Sequence, residues 1–220
     1  PGSCLELGAG RGTKTYVMMC QAKRAGYERQ HTALDLHDRK CDLNLARLHK
    51  AGIQGVRTVS GDACELNEVL TSFDAMLGEP VKFDMVFIDA PCSGTGTMRR
   101  HPEIPWRLTE KDVTVELPKL QLTMLKEAAA RVAAGGELIY ATCSVFDEEN
   151  TQVVEAFLSS PEGAGFSVAP LSEAQILQLP EFAQAKKLVS VRQNDRGLFQ
   201  SVPVNADSYD GHFCARLVHK

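Results

Sequence analysis

The sequence lacks any apolar run that approaches the roughly 18 consecutive residues a membrane-spanning helix needs. It also lacks a leader in which a basic segment precedes an apolar stretch and a small-residue cleavage site. Positive charge is not in excess, because 24 Lys and Arg stand against 28 Asp and Glu, which gives a net charge of −4. These absences argue against a membrane protein and against broad electrostatic capture of nucleic acid, and they predict a soluble, cytoplasmic protein.

The seven cysteines are an odd number and include no C-x-x-C pair. In a chain of 220 residues this pattern argues against a disulfide scaffold and predicts reduced thiols. His37 and Cys41 have the i,i+4 spacing of one helix face, which fits either part of a metal site or a solvated face. No second ligand pair lies nearby in the sequence, so we favour the solvated face and expect no metal.

Length and composition fit one domain, because 220 residues with 44% hydrophobic content can bury one sizeable core. We therefore expect a single domain over residues 1–220, and a monomer. The chain opens at Pro1 on what reads as a core strand, so we interpret it as a fragment whose N-terminal part is absent.

Short apolar strands alternate with helical segments along most of the chain. The first predicted strand begins at Cys4. Further strands are predicted at His31–Asp35, Val56–Ser60, Phe83–Asp89 and Glu137–Ser144, with closing strands at Val189–Arg192, Leu198–Val202 and His212–Val218. The predicted helices cover Thr13–Arg24, Asp38–Ala51, Leu66–Gly78, Leu120–Ala134 and Asp147 to about Ser159, with Thr109 as a cap and Pro118 as an interruption. This order predicts an α/β fold with an open, mostly parallel sheet, helices on both faces and an antiparallel C-terminal strand.

A glycine-rich turn follows the first strand, with Gly8, Gly10 and Gly12 at alternate positions. Glycine suits a backbone that must turn tightly and approach a ligand closely before a helix N-terminus. The dinucleotide fingerprint fails because its third glycine would fall at Thr13. Together with Glu6, the pattern E-x-G-x-G-x-G resembles the Rossmann-like S-adenosylmethionine-dependent methyltransferases; an ordinary strand-to-helix turn is the alternative for this segment alone.

Two acids end the next two strands. Asp35 is placed to accept the ribose hydroxyls of an adenosyl cofactor. Asp62 is a candidate for the adenine amine, although Gly-Asp is also a plain turn.

The central strand ends in Asp89, and Cys92 follows within three residues, while the next predicted strand ends on Cys143. One such cysteine alone would read as a small buried hydrophobe. Two thiols at neighbouring strand ends instead suit chemistry on cytosine, whose carbon 5 becomes nucleophilic once a thiolate adds to carbon 6. A second group must assist release of the adduct, and a carboxyl group can hold the base.

The loop that follows the central strand combines cations with a stacking face, as single-stranded nucleic acid requires. The alternative is a solvated loop with the tryptophan packed inward. The candidate RNA-binding residues are Arg99, Arg100, His101, Trp106 and Arg107.

The segments Asp89–Gly96, Tyr140–Ser144 and Glu148–Asn150, with the closing Asp210–Leu217, resemble the Sun family of RNA cytosine-5 methyltransferases. The resemblance implies a class I methyltransferase fold with S-adenosylmethionine as cofactor and RNA as partner, most plausibly ribosomal RNA. It implies Cys143 as the nucleophile, Cys92 as the thiol that assists release, and Asp89 as a contact of both cytosine and cofactor. The implied cofactor-binding residues are Gly8, Ala9, Gly10, Arg11, Gly12, Thr13, Lys14, Asp35, Arg39, Asp62 and Asp89.

The first motif departs from the family, because Gly-Ala-Gly-Arg-Gly-Thr-Lys-Thr stands where Ala-Ala-Pro-Gly-Gly-Lys-Thr is usual, although Lys14 and Thr15 keep their places. Many bacterial members of the family carry an N-terminal antiterminator-like RNA-binding domain, whose absence would explain the acidic balance. Three alternatives stay open: a transfer RNA substrate, a DNA methyltransferase with Cys92 as nucleophile, and an inactive cofactor-binding RNA module.

Overall fold

The computed structural model describes residues 2–172, 191–202 and 210–220. It divides the chain into two units, which are described separately. The first unit holds residues 1–90, 123–139 and 219–220, and the second holds residues 91–122 and 140–218.

The first unit contains a sheet whose strands come mostly from the first half of the chain. Its strands are β1 (Ser3–Leu7), β2 (Gln30–Asp35), β3 (Val56–Ser60), β4 (Phe83–Asp89) and the beginning of β5 (Val132–Thr142), in the order β3-β2-β1-β4-β5. Strands β3, β2, β1 and β4 pair in parallel. The side chains of Leu5, Leu7, Val86 and Ile88 are fully buried, as expected for strands covered on both faces.

Helices connect these strands. They are α1 (Thr13–Arg24), α2 (Asp38–Lys50), α3 (Leu66–Val69) and α4 (Thr71–Leu77), and α6 (Leu117–Ala129) leads into β5. The prediction of one helix over Leu66–Gly78 is wrong, because the chain breaks at Leu70. That residue is fully buried, and the Thr71 hydroxyl donates to the Asn67 carbonyl (2.7 Å), a side-chain bond that competes with helical hydrogen bonding.

The predicted boundary between the Leu120 helix and the following strand is also wrong. The helix ends at Ala129, and β5 already begins at Val132. The glycines that suggested a helix stop lie inside the strand, where a Cβ on Gly136 would stand 3.0 Å from the Asp84 carbonyl oxygen. Gly136 therefore permits close approach of two strands.

The second unit carries the antiparallel strands. The end of β5 is followed in the sheet order by β9 (His212–His219), β8 (Phe199–Ser201) and β7 (Val191–Gln193), and β6 (Phe166–Val168) pairs with β9. Pairing of β7 with β8 and of β8 with β9 is antiparallel, which confirms the predicted fold class. Val189 and Ser190, which the first closing strand was predicted to include, lie outside the described residues.

The helices of this unit include α5 (Ile104–Arg107), α7 (Thr151–Leu158) and the start of α6. Pro118 does not interrupt the chain's helical path: it lies at the second position of α6, directly after a π-helical turn at Asp112–Glu116. Proline lacks the N–H that a regular helix would use, and a π turn relaxes the hydrogen-bond pattern there.

An ion pair in the first unit joins the buried Arg131, just before β5, to the partly exposed Asp74 in α4. The Arg131 guanidinium, 1% exposed, donates to both carboxylate oxygens of Asp74 (2.8 and 3.0 Å) and to Asn67 Oδ1 (2.9 Å). This hydrogen bonding holds the pKa of Asp74 below its usual range.

We expect Asp74→Ala to lower the free energy of unfolding by about 3 kcal/mol, because it leaves a buried guanidinium without its counter-ion. Urea denaturation at pH 7 measures the effect, and Glu79→Ala, an exposed acid of the same segment, is the control. The folded-state pKa of Asp74 is depressed, so its contribution is complete above the unfolded value of about 3.9 and is lost as the pH falls through the folded value. The difference between the wild type and Asp74→Ala should therefore narrow below about pH 4; a difference that persists unchanged in acid would contradict this.

Candidate active site

The glycine turn of the first unit has a backbone that only glycine adopts readily. Gly8, Gly10 and Gly12 have φ angles of 76°, 57° and 81°. A Cβ on Gly8 would stand 2.4 Å from the Asp89 carbonyl oxygen, and one on Gly12 would stand 2.0 Å from Asn44 Oδ1. The turn therefore lies directly against the end of β4, and side chains at these positions are excluded.

Asp35, at the end of β2, lies beside this turn. Its Oδ2 accepts a hydrogen bond from the Gly10 N–H (2.9 Å), and its Oδ1 accepts one from the His37 N–H (3.1 Å). Lys40 Nζ is 3.3 Å from Oδ1, whereas Arg39 is exposed. Lys40, a residue that sequence reasoning missed, is thus a basic partner of the carboxylate.

A second carboxylate, that of Glu6, bonds to the start of α1, directly after the glycine turn. Glu6 is fully buried, and its Oε2 accepts from the Thr15 hydroxyl (2.6 Å) and lies 2.8 Å from His31 Nε2. The Asn44 amide donates to the same Thr15 oxygen (3.2 Å). These bonds join β1, β2, α1 and α2 at one point.

The remaining candidates of the first unit differ in their surroundings. Lys14 Nζ lies 2.5 Å from Asp89 Oδ2, and the two side chains are 46% and 32% exposed. Asp62 Oδ1 accepts from the Cys64 N–H (2.8 Å), which is the local bond of an Asx turn. Ala9, Arg11 and Thr13 belong to the glycine turn and the start of α1, and Arg47 donates to the Thr13 hydroxyl (3.0 Å).

The two predicted thiols meet in the second unit. Cys92 Sγ is 3.2 Å from Cys143 Sγ, and the Cys143 N–H donates to Cys92 Sγ (3.3 Å). The hydrogen bond to Cys143, followed by burial, raises the pKa of the Cys92 thiol above its usual range. Two thiolates at this separation would repel each other, so the pair gives up its second proton with difficulty.

A buried acid, Glu149, connects the two cysteine segments. It is 0% exposed, and its Oε2 accepts from the Ser93 N–H (2.8 Å) and from Gln121 Nε2 (3.0 Å). Its Oε1 accepts from the Ser144 hydroxyl (2.7 Å). The sequence motif that contains Glu149 does not reveal its role, since its partners lie 5 to 56 residues away.

Neighbouring polar groups extend this network. The Tyr140 hydroxyl donates to the Glu149 carbonyl (2.6 Å), and the Thr142 hydroxyl donates to Asn150 Oδ1 (2.6 Å). Asn150 Nδ2 donates in turn to the Ser144 carbonyl (3.0 Å). The end of β5 and the following turn are therefore fixed by buried hydrogen bonds.

The loop predicted to bind RNA presents its tryptophan to solvent. Trp106 is 89% exposed, which rules out the inward-packed alternative, and it lies in α5. The four basic residues of the loop all have acidic neighbours: Arg99 and Arg100 pair with Asp210, and His101 and Arg107 pair with Glu103.

An open, mostly apolar cavity of about 350 Å³ adjoins this loop. Thr95, three residues after Cys92, and Phe146, three residues after Cys143, both line it. Its volume falls in the range of small-ligand sites.

The other cysteines do not form a site. All seven lie within the described residues, and none forms a disulfide. The prediction that Cys41 lies on a solvated helix face is wrong, because its side chain is buried and its thiol donates to the Val59 carbonyl (3.4 Å). Within residues 2–172, 191–202 and 210–220, no three His, Cys, Asp or Glu side chains cluster as metal ligands, and no helix there is long and apolar enough to span a bilayer.

A glycine turn against a parallel sheet, with an acid at the end of β2, is the arrangement typical of nucleotide-cofactor sites in Rossmann-like folds. Comparison with known proteins defines it further. The family model "16S rRNA methyltransferase RsmB/F" matches residues 2–218, and the chain belongs to this family.

Relatives and solved structures agree with this assignment. The chain is 36% identical over 217 residues to ribosomal RNA small subunit methyltransferase B of Citrobacter koseri, and the match covers 98% of this chain and 42% of that protein. The crystal structure of PH0851 matches with a TM-score of 0.77 at 28% identity, and the match covers 98% of this chain and 42% of the PH0851 chain. NSun6 from Pyrococcus horikoshii with SFG shares the fold, with a TM-score of 0.74 at 20% identity and coverage of 99% and 47%. The chain thus spans less than half the length of these proteins.

We expect Cys92 of the wild type to react slowly with iodoacetamide at pH 8, and Cys143→Ala to accelerate that reaction. The substitution removes the hydrogen bond that is the main cause of the raised Cys92 pKa. Peptide mass spectrometry across pH 6–10 measures the rate, with the exposed Cys20 as internal reference. A wild-type Cys92 that reacts as fast as Cys20 would contradict the coupling of the two thiols.

Proposed function

We propose that this chain transfers a methyl group from S-adenosylmethionine to carbon 5 of a cytosine in small-subunit ribosomal RNA, in the cytoplasm. The observation that carries the proposal is the pair of thiols 3.2 Å apart in the second unit. Membership of the 16S rRNA methyltransferase family supports the choice of RNA. Because the chain covers 42% of the matched relative, the proposal concerns the activity of the domain.

The residues of the first unit fit the cofactor. The glycine turn leaves its backbone open to close approach, and Asp35 offers a carboxylate for ribose hydroxyls beside it. We assign the turn from Gly8 to Lys14 to the methionine end and Asp62 to the adenine, with Arg39 as an additional candidate. S-adenosylmethionine, when bound, supplies the methyl group that carbon 5 takes up.

Cys143 acts as the nucleophile in this proposal. Its Sγ forms a bond to carbon 6, and the electrons of the C5=C6 double bond become available at carbon 5. After carbon 5 has been methylated it loses its proton, the C5=C6 bond forms again and the S–C6 bond breaks, so that the thiolate leaves. Asp89 holds the base by its amino group and ring nitrogen, and Lys14, which lies 2.5 Å from it, orients the carboxylate.

We assign Cys92 as the second thiol, and its Sγ lies 3.2 Å from Cys143 Sγ, close to the adduct that Cys143 would form. Release of the adduct requires a base that takes the proton from carbon 5, and Cys92 in its thiolate form can take it as the S–C6 bond breaks. In a DNA-methyltransferase arrangement, Cys92 would attack instead.

We expect Cys143→Ala to abolish methyl transfer without loss of cofactor binding, and Cys92→Ala to leave protein covalently attached to RNA. The first variant lacks the group that adds to carbon 6, and the second lacks the group that assists release. Each variant is incubated with transcribed 16S rRNA and cofactor and then run on a denaturing gel, with transfer RNA as a parallel substrate.

The double variant Cys92→Ala/Cys143→Ala is the matched control and should give no adduct. An adduct from Cys143→Ala but not from Cys92→Ala would reverse the two roles. Methylation of transfer RNA in preference to rRNA would replace the proposed substrate.

We further propose that the loop after β4, which includes α5, contacts RNA. The residues proposed for this contact are Arg99, Arg100, His101, Trp106 and Arg107. The exposed indole of Trp106 supports this assignment because a base can stack on it. The ion pairs with Asp210 and Glu103 reduce the net charge of the loop, so stacking is expected to contribute more than charge.

We expect Trp106→Ala to weaken binding of single-stranded RNA by about 1–3 kcal/mol, the usual contribution of one stacked base. Fluorescence anisotropy with a labelled rRNA fragment measures it. Met76→Ala removes a similarly exposed apolar side chain from the first unit and serves as control. Equal affinities of the wild type and Trp106→Ala would remove the loop from the RNA interface.

A further inference from the structure

We propose that Glu149 is a positioning residue that fixes the separation of the Cys92 and Cys143 sulfurs. Its relevance to methyl transfer rests on the proposed function. Its carboxylate bonds to the residue that follows each cysteine: Ser93 after Cys92, and Ser144 after Cys143. One side chain thereby fixes two segments that are 51 residues apart.

The third donor, Gln121, connects Glu149 to α6. Gln121 Nε2 donates to Glu149 Oε2 (3.0 Å) and to the Pro91 carbonyl (2.9 Å), so it binds the carboxylate and the Pro-Cys segment together. A direct bond between the Ser93 and Ser144 hydroxyls (3.1 Å) closes the ring. The 3.2 Å separation of the sulfurs is the geometry that this ring supports.

Burial makes the arrangement sensitive to substitution. Glu149 is 0% exposed, so water cannot replace a lost partner at low cost. Glu149→Ala would leave the Ser93 N–H, the Gln121 amide and the Ser144 hydroxyl without their acceptor, and the two segments would be free to separate.

Glu149→Gln should preserve the ring. The amide oxygen can accept from the Ser93 N–H and the Gln121 amide, as Oε2 does. The amide NH₂ can donate to the Ser144 oxygen, because a hydroxyl both donates and accepts and its hydrogen rotates to suit. The alanine and glutamine variants thus separate the hydrogen-bonding role from the charge.

Binding of phenylarsine oxide tests, without RNA, whether the two thiols lie close together. One arsenic centre forms two As–S bonds with a close dithiol, the two thiol protons and the arsenic-bound oxygen leave as one water, and no oxidant is needed. Intact mass spectrometry, with a competing monothiol, gives the affinity. Cys92→Ala identifies the thiol pair, since it should lose the dithiol complex.

We expect Glu149→Ala to weaken arsenical binding by about tenfold or more, the effect of at least one lost buried hydrogen bond. Glu149→Gln should bind like the wild type. Asp147→Ala, which removes an exposed acid from the same turn, should also bind like the wild type. Ser144→Ala, which removes one link of the ring, should fall between the wild type and Glu149→Ala and tests the proposal if Glu149→Ala does not fold.

In the RNA assay, Glu149→Ala should lower kcat with little change in the Kd for cofactor, and Glu149→Gln should restore it. Unchanged arsenical affinity in a folded Glu149→Ala, or in Ser144→Ala if the former does not fold, would overturn the positioning role. An equal loss in Asp147→Ala would also overturn it. If the arsenical results are as expected but the wild type transfers no methyl group to RNA, the proposed function fails, whereas the role of Glu149 in positioning the two thiols is retained.

Discussion

The two cysteine segments depend on the acceptors of one buried carboxylate. Donors from three places converge on Glu149, and none of the three can be satisfied by solvent at a fully buried position. This gives a physical reason for a Glu-Glu-Asn run just before α7. Acids there suit a helix dipole, but of the two acids in the run only Glu149 is buried, and its carboxylate bonds to the segments that carry Cys92 and Cys143.

The first unit uses the same device. Glu6 is as deeply buried as Glu149 and accepts from Thr15, at the first turn of the helix that follows the glycine turn. In both cases a short turn after a strand has to hold one conformation, and a buried acceptor with several donors makes alternatives expensive. Loops that carry function can thus be rigid although the chain around them has no regular structure.

Local signals were enough to predict much of the fold. The bounds of α1, β3 and β4 follow from apolar runs and from glycine, and the structure has them as predicted. The meeting of Cys92 and Cys143 followed from their positions at the ends of strands expected to be neighbours. The start of β5 was missed because Gly135 and Gly136 read as a helix stop, and only the approach of Asp84 explains why a strand needs glycine there. Arg131, Gln121 and Glu149 could not be found from local sequence, since each is defined by partners far along the chain.

The protonation of the two thiols is coupled through their contact. Cys92 Sγ accepts the Cys143 N–H, which by itself would favour a thiolate on Cys92. The hydrogen bond between the sulfurs and burial act in the opposite direction and raise the pKa of Cys92. Once one thiol has lost its proton, the thiolate opposes ionisation of its neighbour, so the pair can hold one nucleophile beside one protonated thiol. Because this coupling depends on the separation of the sulfurs, whatever fixes that separation also fixes how readily the pair ionises.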